Sequence, residues 1–153
     1  MFKITPFLWF DGQAEEAMNF YLSVFSNGKA VNVHRVKGQV MSVTFELEGQ
    51  HFMGLNAGPQ FKFTEAVSFF VSCETQEEID MLWDRLSEGG EKQRCGWLKD
   101  KFGLSWQIIP TAFGKLIGDP DPVKSQAVMQ AMLKMDKVII ENLQKAYEGK
   151  ASA

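Results

Sequence analysis

At 153 residues and 17.3 kDa, with 45% hydrophobic and 23% charged residues, the chain can bury a domain core and is too apolar for disorder. A net charge of -3 and a pI near 5.4, with Lys and Arg scattered, exclude the basic footprint of a nucleic-acid binder. No stretch is long and apolar enough to span a membrane, and the apolar N-terminus is broken by Thr5, Pro6 and Asp11 with no leader-type cleavage pattern.

Cys73 and Cys95 lie outside any CxxC or metal-ligand spacing, which predicts reduced thiols in a soluble, cytoplasmic protein. Residues 2–10 read as a buried strand, after which Asp11 and Gly12 turn the chain into a helix over about 13–25. Ala14, Ala17, Met18, Tyr21, Leu22 and Phe25 recur on it at helical spacing, and Gly28 stops it. Strands follow over 31–36, 40–47 and 51–56, joined at Lys37-Gly38 and Glu48-Gly49, where Gly permits the positive φ of a short hairpin turn. Residues 1–57 are thus a β-α-β-β-β module.

After the loop 57–63 the pattern recurs. Residues 66–73 form a strand, and a helix beginning at Thr75 carries Ile79, Leu82, Trp83 and Leu86 on one face. Thr75 and Glu78 have the spacing of a capping box. A hairpin over 95–110 follows, with a polar turn at 99–103 and a last strand at 104–109, closing a second module over 64–110. The two modules make one domain over 1–110, and 111–149 is a helical extension. In that extension 112–117 form a turn or two of helix, and Asp121 caps a helix from Pro122 to about Leu133. Asp136 is expected to cap a last helix carrying Val138, Ile139, Leu143, Ala146 and Tyr147, ahead of a frayed end at 149–153. Met129, Met132 and Met135 recur at helical intervals, as core or dimer-interface residues do.

The residue that stands out is Gln107, an amide in an apolar strand beside Trp106, Ile108 and Ile109. An unpaired buried amide costs about 1–3 kcal/mol, so either the fold satisfies it or a ligand does. If Gln107 faces a cavity, alternation puts Ser105 and Ile109 on its side, Trp106 and Ile108 against the helices, and Ala66, Ser68 and Phe70 on the same face of the other strand. The second candidate is the loop 56–63, beginning at Asn56. Gly58 and Pro59 bend it, and Phe61 and Phe63 either fold two rings over a cavity mouth or tuck into the core. Trp9, Phe7 and Trp97 are ligand-lining or core residues on the same reasoning. His34 and His51 lie in strands with polar neighbours and are expected at the surface, leaving no His-based acid or base. The carboxylate pairs Glu15-Glu16 and Glu77-Glu78 complement helix dipoles rather than forming a catalytic pair.

The segments LWFDGQAEEAMNFYLSVF (8–25), FELEGQHFMGLNAGPQFKF (45–63), SFFVSCETQEEIDMLWDRLSEGG (68–90), CGWLKDKFGLSWQIIP (95–110) and DPDPVKSQAVMQAMLKM (119–135) span nearly the whole chain. With two β-α-β-β-β modules, they resemble the vicinal oxygen chelate superfamily of glyoxalase I, bleomycin-resistance proteins and extradiol dioxygenases. Within it the resemblance is to the PhnB-like branch, labelled 3-demethylubiquinone-9 3-methyltransferase domain. It implies an α+β fold whose paired modules form a U-shaped mixed sheet around a ligand cavity, a C-terminal helical tail, and a homodimer. Metal-dependent relatives place ligands at positions corresponding here to Thr5 or Pro6, Leu55 or Asn56, Ala66 and Gln107. None offers imidazole, carboxylate or thiolate, so the expectation is a metal-independent small-molecule-binding protein with an unidentified ligand and no cofactor. The label implies the alternative of methyl transfer from S-adenosylmethionine to a demethylubiquinol-like phenol, although the chain has no Gly-rich cofactor loop. A non-catalytic ligand-sequestering protein is the third reading. A purely structural role, with the cavity filled by its own rings, is the fourth.

Overall fold

In the computed structural model, residues 3–150 are described, and the chain divides into two units, Met1–Phe63 and Thr64–Ala153. The first unit runs β1 (Phe7–Phe10), α1 (Ala14–Val24), β2 (Gly28–Val36), β3 (Gln39–Leu47) and β4 (Gln50–Asn56). Its sheet has the order β1-β4-β3-β2, with β1 parallel to β4 and the other neighbours antiparallel. Both hairpins close through two residues of positive φ, Lys37 (53°) with Gly38 (81°) and Glu48 (49°) with Gly49 (83°). That turn matches the right-handed twist of the strands it joins. The apolar face of α1, formed by Ala14, Ala17, Met18, Tyr21 and Val24, is buried together with Leu8, Phe10, Val43 and Phe45 of the sheet.

Two strand limits differ from the sequence reading. β1 begins at Phe7, because Pro6 has no N–H for the ladder and contributes only its carbonyl, which accepts from Met53 N at 2.9 Å. Phe2, the predicted start, lies outside the described residues. β2 begins at Gly28 because Gly28, Lys29 and Ala30 already pair with Leu47, Glu46 and Phe45.

The second unit repeats the plan. It comprises β5 (Ser68–Cys73), α2 (Gln76–Ser87), β6 (Glu91–Lys92), β7 (Trp97–Lys99), β8 (Ser105–Pro110), α3 (Thr111–Ile117), α4 (Pro122–Leu133) and α5 (Ile140–Tyr147). The order β5-β8-β7-β6, with β5 parallel to β8, reproduces the first sheet strand for strand. The fold class is therefore α+β, with two four-stranded mixed sheets of one topology. β5 starts at Ser68 and excludes Ala66. Thr64 takes the Ala66 N–H on its hydroxyl and the Val67 N–H on its carbonyl, so these residues turn rather than extend. α2 is capped as its sequence predicts, Thr75 Oγ1 accepting from Glu78 N at 3.2 Å, but the Glu78 carboxylate reaches one residue further back, to Glu74 N.

Leu98, Trp106 and Ile108 are buried with Ile79, Leu82, Trp83 and Leu86 of α2. The polar turn before β8 is built on buried Asp100, whose carboxylate accepts from Phe102 N, Leu104 N and the Trp106 indole Nε1. The C-terminal helices form a further core in this unit, in which Val128, Met132, Val138 and Leu143 are buried with Ile109 of β8. Met129 is 39% exposed and stands outside it.

Gln76 ties this extension to α2. Its Oε1 accepts from Ile140 N at 2.8 Å and its Nε2 donates to Val138 O at 3.0 Å. Asp136 therefore does not cap the last helix. The N-cap position is Ile139, and the helix's first free N–H is met from another element by Gln76, while the Asp136 carbonyl accepts from Gly96 N. The described part of the chain end is closed rather than frayed. Gly149 N bonds Ala146 O and Lys150 N bonds Lys145 O in a Schellman arrangement, and 151–153 lie outside the described residues. Among the described residues, no helix is long and apolar enough to cross a membrane.

Candidate functional site

Successive strand residues point to opposite faces, so β8 sends Trp106 and Ile108 toward α2 and Ser105, Gln107 and Ile109 the other way. The registers place Phe70 of β5 and Trp97 of β7 on either side of Gln107, and Ser68 and Lys99 on either side of Ser105. One face of the second sheet thus gathers four of the predicted residues: Ser68, Phe70, Trp97 and Gln107. Phe70 is 59% exposed, so this face is open beside Gln107.

The state of Gln107 is divided. Its Nε2 donates to Ser68 Oγ at 2.9 Å, which satisfies half of the amide. Its Oε1 has no partner among the described residues, and the Ser68 hydroxyl, having accepted one bond, still has its own proton to donate. Next along the same face, Ser105 is fully buried and its Oγ has no hydrogen-bond partner among the described residues. The charges nearby are paired: Lys99 Nζ lies 3.2 Å from Glu65 Oε1, and its hydrogen bond holds the Glu65 carboxyl below the usual range. At the other end, Ile109 shares the face but is covered by Val128, Met132, Val138 and Leu143, so the extension closes that end.

The first unit distributes its predicted residues differently. Trp9 donates its indole N–H to Gly58 O at 2.9 Å and meets Phe61 edge-on at 4.9 Å between ring centroids. Phe63 meets Phe10 instead, at 5.5 Å. Trp9 and Phe10 are neighbours in an edge strand and face opposite ways, so the loop straddles β1 with one ring on each side. Of the two placements expected for these rings, together over a mouth or tucked into the core, the loop takes neither for the pair: it bonds and packs around the strand edge, which parts them. Asn56 is committed to the fold, its Oδ1 accepting from Ala14 N at 2.9 Å and its Nδ2 donating to Val40 O at 3.1 Å. Phe7 is 56% exposed.

A transition metal does not fit these residues. Asn56 and Gln107 offer only neutral amides, both already hydrogen-bonded, at two of the inherited ligand positions. His34 is exposed as expected and His51 is partly exposed, its Nε2 lying 3.1 Å from Glu46 Oε1; Lys29 also approaches that carboxylate, at 3.9 Å. Among the described residues no group of three or more His, Cys, Asp and Glu comes together. A nucleotide-like cofactor fits no better at the β1–α1 turn. The turn has one glycine, and the Ala14 N–H that would meet an anionic group is held by Asn56. A groove of about 510 Å³ on the extension, floored by Ala127, Ala131 and Ala146 and flanked by Lys134 and Lys150, carries no signal in the sequence pattern.

Residues 2–109 match the family model described as 3-demethylubiquinone-9 3-methyltransferase. The chain is similar to the PhnB protein from Bacillus cereus, at 40% identity and a TM-score of 0.68, over 72% of this chain and 100% of that one. Protein PA1353 from Pseudomonas aeruginosa shares the fold at 19% identity and a TM-score of 0.59, over 71% of this chain and 96% of that one. The Arabidopsis thaliana gene product AT5G48480 shares it at 20% identity and a TM-score of 0.52, over 71% and 98%. Among curated proteins, none matches. The helical extension begins just beyond the span of the family match.

Proposed function

The chain belongs to the 3-demethylubiquinone-9 3-methyltransferase family, and from that premise we propose that it is a metal-independent small-molecule-binding protein whose ligand lies on the Gln107 face. The observation that carries this reading is the half-satisfied amide of Gln107, set between Phe70 and Trp97 on an open sheet face. An acceptor left unpaired beside aromatic side chains is a ready contact for a ligand with a planar body and one polar edge. Metal independence is supported by the donor set: amides at two of the positions where the resemblance would place ligands, and among the described residues no group of three or more His, Cys, Asp and Glu.

The family's name favours a second reading, methyl transfer to a demethylubiquinol-like phenol. That reading needs a seat for S-adenosylmethionine, and neither the β1–α1 turn nor the Gln107 face supplies one in the residues described above. Sequestration of a ligand without chemistry agrees better with a face whose ionisable side chains, Lys99 and Glu65, are paired with each other. Two modules acting as one domain, and assembly as a homodimer, are part of the proposal. Exposed apolar side chains at Ile4, Phe7 and Val67 support a covering second copy, and the free thiols of Cys73 and Cys95 support a reducing cytoplasmic setting.

The test is native mass spectrometry and elemental analysis of protein purified without chelators. A copurifying organic ligand, recovered unchanged, with no stoichiometric divalent metal is the expected result. A stoichiometric metal overturns the metal-independent reading, and calorimetric binding of S-adenosylmethionine at micromolar concentration favours methyl transfer instead.

A further inference from the structure

We infer that the Gln107 face selects an uncharged ligand group presenting a donor and an acceptor on one planar edge, as in an amide, a lactam or an enol with its carbonyl. This rests on the reading that a small molecule occupies this face, and names the class it takes. The polar atoms available are Gln107 Oε1, an acceptor, and the Ser68 hydroxyl, whose proton remains to be donated once its oxygen has accepted from Gln107 Nε2 at 2.9 Å. One acceptor and one donor, side by side, match a group with the reverse order.

Charge decides against the alternatives. A carboxylate would face the lone pairs of Gln107 Oε1, and the lysine of the neighbouring row, Lys99, is already paired with Glu65 at 3.2 Å. An amidinium or ammonium would find one carbonyl and no unpaired carboxylate. In either case a charge leaves water without a counter-ion, which is the costly form of burial. A neutral donor–acceptor edge leaves neither protein atom unmatched. Ile109 is covered by the extension, so the ligand lies over Gln107, between Phe70 and Trp97, and on the side away from that end.

Three planar probes of nearly one shape separate the cases: benzamide carries donor and acceptor, benzoate only acceptors with a negative charge, and benzamidine only donors with a positive charge. The full chain, labelled with ¹⁵N, is titrated with each to about 10 mM, the range in which so few non-hydrogen atoms bind. Benzamide is expected to shift the Gln107 side-chain amide and the Trp97 indole N–H, with the two ions binding at least about tenfold more weakly. Gln107→Leu abolishes the benzamide shifts while a dispersed spectrum reports that the variant is folded. Gln107→Glu, which puts a carboxylate in place, moves the preference to benzamidine. Benzoate or benzamidine binding the unaltered protein as well as benzamide overturns the inference and leaves the small-molecule reading standing. No shift on β5, β7 or β8 with any probe removes the reading itself, and the inference with it.

Discussion

Gln107 and Ser68 are diagonal neighbours on the parallel β5–β8 pair, joined by a hydrogen bond of 2.9 Å from the amide nitrogen to the hydroxyl. The bond orients the amide, and so determines that its oxygen faces outward. Ser68→Ala is expected to lower stability by about 1 kcal/mol, because a partly buried donor loses its partner, whereas Ser68→Ala with Gln107→Met recovers most of it. Urea denaturation of the two single variants and the double variant checks this; strict additivity would show that the pair is not coupled.

Asp100 holds the turn that aims β8. Its carboxylate meets Phe102 N, Leu104 N and Trp106 Nε1, and it is only 2% exposed. Asp100→Ala strips an acceptor from all of these donors, for an expected loss of about 3 kcal/mol or more, and Asp100→Asn, which keeps one acceptor oxygen, loses less. Thermal unfolding ranks them, and an equal loss in both would mean that the charge rather than the acceptor geometry matters.

Gly96 joins the second sheet to the extension, its N–H donating to Asp136 O at 2.8 Å. A Cβ there would lie 2.7 Å from Ile109 Cδ1 and 2.8 Å from Ile108 O, on a backbone of φ +80°. Gly96→Ala should therefore destabilise by about 2–4 kcal/mol, combining left-handed strain with overpacking. Gly114→Ala is the matched control: it lies inside α3 with nothing within 4 Å of its added methyl, and should stabilise by about 0.5–1 kcal/mol.

Gln76 substitutes for a local cap on α5. Gln76→Ala frees Ile140 N and Val138 O together, so amide hydrogen exchange at the start of α5 should accelerate by roughly tenfold, the equivalent of about 1–2 kcal/mol of local stability. Exchange in α1, which belongs to the other unit, should not change. A uniform acceleration would mean that the extension unfolds only with the whole chain.

Burial, with the carboxylates of Glu78 and Glu74 adding to it, pushes the Cys73 thiol from its ordinary 9.0 up to about 12. Between those values the folded chain keeps a proton that the unfolded chain has released. The contribution is therefore constant below about pH 9 and is lost as pH rises through that range. Denaturation midpoints measured from about pH 8 to about pH 10.5 should fall more steeply for the native protein than for Cys73→Ala. Iodoacetamide at neutral pH should leave Cys73 unmodified until the chain is unfolded.

The features legible in the sequence are those decided by neighbours along the chain. Thr75 caps α2, and Asp121 with Pro122 starts α4 where expected, since a cap needs only the next two or three N–H groups. The hairpins at Lys37-Gly38 and Glu48-Gly49 turn on their own dihedral preferences. Asp136 misled for the same reason inverted: it has a capping side chain in a plausible place, yet α5 takes its cap from Gln76, a residue distant in sequence. Of the candidate site, alternation along β8 correctly grouped Gln107 with Ser105 and Ile109, but gave no sign that helices would cover one end of that row.

The sequence alone determined the duplicated β-α-β-β-β plan, the α+β class and the family, because periodicity, turns and motif order are properties of short segments read in sequence. Only the tertiary structure decided that Gln107 is half-satisfied by Ser68, that Phe61 and Phe63 part around β1, and that the C-terminal helices close over Ile109. Each of these depends on which distant strand or helix arrives beside a side chain, and a polar atom's partner or a ring's neighbour is settled by that arrival rather than by the residues next to it.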